Sequence, residues 1–255
     1  MKIEVLLTPG EQAGLRNRDL SGTTCVVFDV LRATSTMLEG FANGAEAIVP
    51  VCEIEEAVKL GEANPDWLLA GERDGVRITK ELTGSADFNL GNSPREFCPE
   101  VVKGKTIVMT TTNGTRALKA CEGADRILVG AFLNLDALIA GLVESEAQHV
   151  LLVCAGTGED CASEDVLCAG AVVEGLAERS PSAAVSDSAL VARACYRDGR
   201  SEAAEEPRIA HGTNGRRLEG VPGLAPDVAF CSQTSVMNVN AGMDAEGIVR
   251  RVNFG

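Results

Sequence analysis

Asp29 ends the apolar run Val26-Val27-Phe28, and Arg32, Thr34, Ser35 and Thr36 follow it closely. Ala33, Met37 and Phe41 then recur every fourth residue, and Asn43-Gly44 reads as a helix stop. The pattern is strand, turn, helix, with a carboxylate, a guanidinium and hydroxyls at the turn. A helix N-terminus presents unpaired N–H groups and a positive dipole end, which suits an anion. The acid beside it suits a cation that neutralises that anion. A second stretch repeats the arrangement: Thr106 to Met109 is apolar and runs into Thr110-Thr111-Thr112-Asn113-Gly114-Thr115-Arg116. Its hydroxyls and N–H groups can surround a compact anion; the alternative is a Thr-rich strand end with an ordinary Asn-Gly turn. Two such turns suggest a substrate with more than one anionic end.

Glu72 lies in Gly71-Glu72-Arg73, just past a predicted strand, where the glycine permits close approach of backbone and ligand. A loop salt bridge is the plainer reading of Glu72, as a turn or capping acid is of Asp29. Together the two carboxylates can hold Mg²⁺, a hard cation that favours carboxylate and phosphate oxygens. Glu164 and Asp165 read first as acids favoured at a helix start, with the same cleft as the alternative.

The elements that must position these residues alternate. Strands are predicted over 3–7, 24–28, 47–51, 67–70, 106–109, 126–129 and 149–154. Helices are predicted over 53–62, from Pro94 to about Val102, 135–144, from Ser163 to about Glu178, and 186–196, with Ser93 and Ser163 as capping residues. Asp198 to Pro207 is polar and charged and reads as a linker or mobile loop; the tail from Gly220 to Gly255 is turn-rich. The alternation predicts an α/β fold with a mostly parallel sheet and helices on both faces. Ligands then collect at the carboxyl ends of strands, where Asp29, Glu72, Thr111 and Cys154-Ala155-Gly156 all fall. The 255 residues read as a single unit, or as two subdomains with a break near 130–150.

With 45% hydrophobic and 24% charged residues the chain can bury a sizeable core. No apolar run approaches the roughly 20 residues of a membrane helix. The start, MKIEVLLTPGEQ, reads as a first strand rather than a signal peptide, so a cytoplasmic protein is expected. A net charge of −14 argues against nucleic acid and anionic membranes as partners, though not against a small anion in a locally basic pocket. The nine cysteines include no C-x-x-C pair and read as reduced, small hydrophobes. Cys154, Cys161 and Cys168 recur every seven residues, but a thiolate zinc site normally needs close pairs. There are two histidines and no G-x-S-x-G, which argues against a serine hydrolase.

FDVLRATST (28–36), GER (71–73), NLGNSP (89–94), TTTNGT (110–115), CAG (154–156) and SED followed by AG (163–170) occur in this order. Together they resemble the 2-phosphosulfolactate phosphatase family of coenzyme M biosynthesis, strongly from about Lys2 to Gly170 and weakly beyond. Haloacid dehalogenases also carry a strand-end Asp, but they have a second Asp two residues on, where this chain has Leu31. One departure lies in the tail: Cys231-Ser232-Gln233 is followed by Thr234-Ser235, where the family often carries an acid.

The resemblance implies a family-specific phosphosulfolactate phosphatase-like fold. It implies a Mg²⁺-dependent phosphatase that converts 2-phospho-3-sulfolactate and water to 3-sulfolactate and phosphate. Carried over position by position, Asp29, Glu72 and Arg32 are the expected catalytic residues, with Asp29 and Glu72 at the metal. Thr34, Ser35 and Asn92, and Thr111, Thr112, Asn113, Gly114 and Thr115, are the expected substrate-binding residues. Attack by water is the expected route, with a phospho-enzyme on Asp29 as the alternative. The rival functions are a phosphatase for another small phosphorylated hydroxy acid and a module that binds an anionic metabolite without turnover. The resemblance also suggests a homo-oligomer.

Overall fold

The computed structural model describes residues 1–199 and 208–254. Eleven strands form one sheet: β1 Lys2–Leu6, β2 Thr23–Phe28, β3 Ala47–Val51, β4 Leu68–Arg73, β5 Val76–Arg77, β6 Thr106–Thr110, β7 Arg126–Gly130, β8 His149–Cys154, β9 Ala184–Val185, β10 Ala241–Met243 and β11 Val249–Arg251. The spatial order is β5-β4-β6-β3-β11-β10-β7-β2-β8-β1-β9. β4, β6 and β3 are mutually parallel, as are β7, β2, β8, β1 and β9. Between the two sets lies the antiparallel pair β10–β11, which also pairs antiparallel with β7 and β3. The α/β architecture with a mostly parallel sheet is therefore as expected.

Helices cover both faces because the central strands are apolar on both. All six residues of β2 are buried. Cys25 and Val27 pack into one core with Met37, Leu38 and Phe41 of the helix Ala33–Ala42. Val26 and Phe28 point the other way, into a second core with Leu138, Ile139 and Leu142 of the helix Leu135–Glu144 and Val172 and Val173 of the helix Ser163–Arg179. This is the two-residue period of a strand serving two layers at once. A smaller core, with Val51, Ala57, Leu69, Ile78 and Phe88, lies under the helix Ile54–Ala63.

The chain interleaves the two strand sets. It leaves the first after β2, builds β3 to β6, and returns at β7. The stretch 130–150 lies within one strand set, where it carries the helix that joins β7 to β8.

Several local expectations change. The strand expected to stop at Ala70 continues through Glu72 and Arg73, because these residues pair with β5 as a hairpin. The helix expected from Pro94 to Val102 is a 3₁₀ turn, Pro94–Glu96, and a separate short helix, Pro99–Val102. Pro99 has no N–H to give and restricts Cys98 before it. Ser93 holds the cap position before Pro94, as expected, but makes no side-chain capping bond; Ser163 is the first helical residue, with Ala162 at the cap position. The tail holds a helix, Ala225–Cys231, and the pair β10–β11 that joins the two strand sets. Of the expected 198–207 linker, Asp198 and Gly199 end the helix Asp187–Gly199, and the rest lies outside the described residues. Among the described residues no helix is long and apolar enough to cross a membrane.

Candidate active site

The turn after β2 closes on itself. The Asp29 N–H donates to Thr34 Oγ1 at 3.0 Å, and the Thr34 N–H returns to the Asp29 carbonyl at 2.9 Å. The Ala33 N–H donates to Asp29 Oδ1 at 3.1 Å, so the carboxylate satisfies one of the free N–H groups at the start of the helix Ala33–Ala42. Ser35 Oγ donates to the Val30 carbonyl and Thr36 Oγ1 to that of Asn92. Thr34 and Ser35, expected to bind substrate, are thus fully buried, and their hydroxyls serve the turn.

The Thr-rich turn after β6 is built in the same way. The Thr111 N–H donates to Thr115 Oγ1, the Thr115 N–H donates to Thr111 Oγ1, and Thr115 Oγ1 donates to the Thr111 carbonyl. The hydroxyls of Thr111 and Thr115, expected to bind substrate, are buried and take part in this reciprocal pairing with the backbone. Of the threonines here only Thr112 is exposed, and its N–H and Oγ1 both donate to Glu72 Oε1 at 2.9 Å. Gly114 contributes by lacking a side chain. A Cβ there would lie 2.6 Å from Ala33 Cβ and 2.7 Å from Asp29 Oδ2. Gly114, expected to bind substrate, is thus the point at which the two turns meet.

Glu72 leaves β4 with both oxygens engaged: Oε1 accepts from Thr112 and Oε2 accepts from the Gly75 N–H at 2.7 Å. Gly71 precedes it because a Cβ there would stand 2.3 Å from the Thr110 carbonyl oxygen of the neighbouring strand. Asp29, Glu72, Asn92, Thr112, Asn113 and Arg217 face one cavity of about 210 Å³. Arg32 also reaches it, but its guanidinium is already occupied. Nη1 donates to Asp227 Oδ2 at 2.6 Å and Nη2 to the Gly75 carbonyl at 2.8 Å. A larger, more open cavity lies alongside and shares Thr157 and Asn214 with the first; neither Asp29 nor Glu72 lines it.

Acidic charge is concentrated here. Burial pushes the Asp29 carboxyl up; the Ala33 N–H opposes this, the charges of Glu72 and Glu164 reinforce it, and the result is about 7. Asp165 is also driven well above the ordinary carboxylate range, by burial first and then by Glu164 and Asp29. It accepts from the Val30 N–H at 2.8 Å and the Gly156 N–H at 3.1 Å, tying the turn after β2 to the turn after β8. Glu164, raised by burial, accepts from Asn214 Nδ2 at 2.7 Å. Both acids occupy the first turn of their helix, as the dipole argument expects, and they also brace the cleft.

Asp227 escaped the reading of the sequence. It is wholly buried and accepts from Arg32, from Ser93 Oγ at 2.7 Å and from Arg95 Nε at 2.7 Å. The signal available was its isolation: it is the only charged residue between Glu219 and Asp244.

Among the described residues no three His, Cys, Asp or Glu side chains form a ready-made metal site. The donor chemistry nevertheless fits a hard divalent cation completed by substrate oxygens. Asp29 and Glu72 line the same cavity and repel each other, and a cation between them would relieve that repulsion.

Fold and site together define an α/β protein with a carboxylate-lined cleft at strand ends. The family model described as 2-phosphosulpholactate phosphatase matches residues 11–242, and the chain belongs to this family. It is 38% identical over 224 residues to the probable 2-phosphosulfolactate phosphatase of Symbiobacterium thermophilum, covering 87% of this chain and 91% of that one. It is 32% identical over 240 residues to the protein of the same description from Clostridium acetobutylicum, covering 94% and 96%. Against that from Caldanaerobacter subterraneus subsp. tengcongensis the identity is 43% over 164 residues, covering 64% and 65%.

Proposed function

We propose that this chain is a Mg²⁺-dependent phosphoric monoester hydrolase that converts 2-phospho-3-sulfolactate and water to 3-sulfolactate and phosphate. The observation that carries the reading is the convergence of Asp29 and Glu72 on one cavity, from different strands, inside the family-matched region. The expected substrate is a small anionic phosphate ester in the cytoplasm, in keeping with a net charge that disfavours nucleic acid.

Asp29 and Glu72 would hold the cation. When bound, Mg²⁺ would offset negative charge on the phosphoryl oxygens. Thr112 and the Gly75 N–H fix the Glu72 carboxylate, and the Ala33 N–H fixes that of Asp29. Arg32, locked by Asp227, is a positioning residue that holds the β4–β5 turn through the Gly75 carbonyl. Asp29 is buried and oriented as a helix-start acceptor. This placement suits a cation ligand better than an attacking carboxylate and favours water as the nucleophile.

The test is phosphate release from a panel of phosphorylated hydroxy acids with Mg²⁺ and with a chelator. The proposal expects metal-dependent release, fastest from 2-phosphosulfolactate. Faster release from another phospho-acid would keep the chemistry and replace the substrate. Tight ligand binding without release from any of them would replace the hydrolase with a binding module.

A further inference from the structure

Two cations line the 210 Å³ cavity, Arg32 and Arg217, and they differ in what is left to give. Arg32 is buried, and its guanidinium is held by the buried Asp227 carboxylate, which Arg95 shares, and by the Gly75 carbonyl. Arg217 is exposed and has no hydrogen bond or ion pair among the described residues. It belongs to the helix Thr213–Glu219, which is held firmly against the cleft. Asn214 Nδ2 donates to Thr157 Oγ1 and to Glu164 Oε1, both at 2.7 Å, and Leu218 is buried. The Arg217 guanidinium reaches over the β4–β5 turn, with Nη2 at 3.3 Å from where a Cβ on Gly75 would stand. Gly75 is the residue whose N–H holds Glu72.

A second polar group in the same cavity is also without a partner. Asn92 is 5% exposed, and its buried Oδ1 has no hydrogen bond. Such groups cost free energy when left unpaired, so a ligand that supplies a partner gains from it. Charge points the same way. Asp29, Glu72 and Asp74 line the cavity and outnumber Arg32, whose Nη1 and Nη2 are held by Asp227 and the Gly75 carbonyl. Without Arg217 the lining would repel any anionic group not held with a cation. A guanidinium offers a planar fork of donors that matches sulfonate or carboxylate oxygens.

We propose that Arg217 is the specificity-determining residue that binds a second anionic group of the substrate, so that the cleft takes phosphorylated acids over phosphate esters with a neutral tail. The inference rests on the phosphatase reading above, and its test is kept separate from turnover. Wild type, Arg217→Gln and Arg217→Lys are titrated calorimetrically with 3-sulfolactate, with isethionate (a sulfonate without a carboxylate) and with lactate (a carboxylate without a sulfonate). Arg217→Gln is expected to weaken 3-sulfolactate binding by about tenfold or more, and Arg217→Lys to recover part of the loss. A loss confined to isethionate assigns Arg217 to the sulfonate; a loss confined to lactate assigns it to the carboxylate. Equal affinity of wild type and Arg217→Gln for 3-sulfolactate, or no binding by wild type, overturns the inference. Phosphate release from 2-phosphosulfolactate is measured on the same samples. Turnover with unchanged affinity in Arg217→Gln leaves the activity standing and removes Arg217. Arg217-dependent binding without turnover does the reverse.

Discussion

Asp227 Oδ2 accepts a hydrogen bond from Arg32 Nη1 at 2.6 Å, joining the turn after β2 to the helix Ala225–Cys231. Both side chains are buried, and Ser93 and Arg95 use the other carboxylate oxygen. Removing one partner of a buried pair leaves the other charge uncompensated, at a cost of about 3–5 kcal/mol. Asp227→Ala should lose about that much stability in urea unfolding, and it should lose activity because Arg32 no longer holds the Gly75 carbonyl. A variant as stable and active as wild type would show that the pair does not organise the cleft.

Gly114 should tolerate no side chain. Its Cβ would meet Ala33 Cβ and Asp29 Oδ2, whereas a Cβ on Gly14, which has helical φ, would meet nothing within 4 Å. Gly114→Ala should cost about 1–3 kcal/mol as overpacking and displace Asp29, with a large fall in phosphate release. Gly14→Ala should change neither. Unaltered activity in Gly114→Ala would mean that the contact between the two turns is dispensable.

The inward hydroxyls give a prediction of a different kind. Thr115→Val removes an acceptor for the Thr111 N–H and a donor to its carbonyl. It should destabilise the fold by about 1–3 kcal/mol and leave KM near that of wild type. Thr34→Val should behave likewise, because Thr34 Oγ1 serves the Asp29 N–H. A raised KM with stability intact would return these hydroxyls to the substrate.

These residues also show how far the sequence could be read. Strands such as Thr23–Phe28 and His149–Cys154 were legible as apolar runs that end at polar turns, and helices such as Leu135–Glu144 by their spacing. The meeting of the Asp29, Glu72 and Thr112 turns followed from the strand-end rule once those runs were placed. What the hydroxyls bond to was not legible. A tight turn and a bound anion both call for Thr and Ser, and only the fold shows that Thr34, Ser35, Thr111 and Thr115 satisfy backbone. Asp227 was missed because it lies in a short helix without a long apolar period. β10 and β11, three residues each, are too brief to show alternation.

Asp29 should make the metal-free protein less stable as pH rises. Its carboxyl is raised from 3.8 to about 7 in the folded state. Between those values the native chain keeps a proton that the unfolded chain has lost, so stability falls with rising pH and levels off above about 7. Asp29→Asn keeps an acceptor for the Ala33 N–H and carries no charge. Without metal its melting temperature relative to wild type should rise from pH 4 to pH 7 and then stay constant. A margin that does not change with pH would contradict this.

The most direct test of the carboxylate pair is phosphate release from 2-phosphosulfolactate by wild type, Asp29→Asn and Glu72→Gln, each with Mg²⁺ and with a chelator. The account predicts release by wild type only, abolished by the chelator, from variants that remain folded. Release that persists in Asp29→Asn, or in wild type with the chelator, would contradict a Mg²⁺ site built on Asp29 and Glu72.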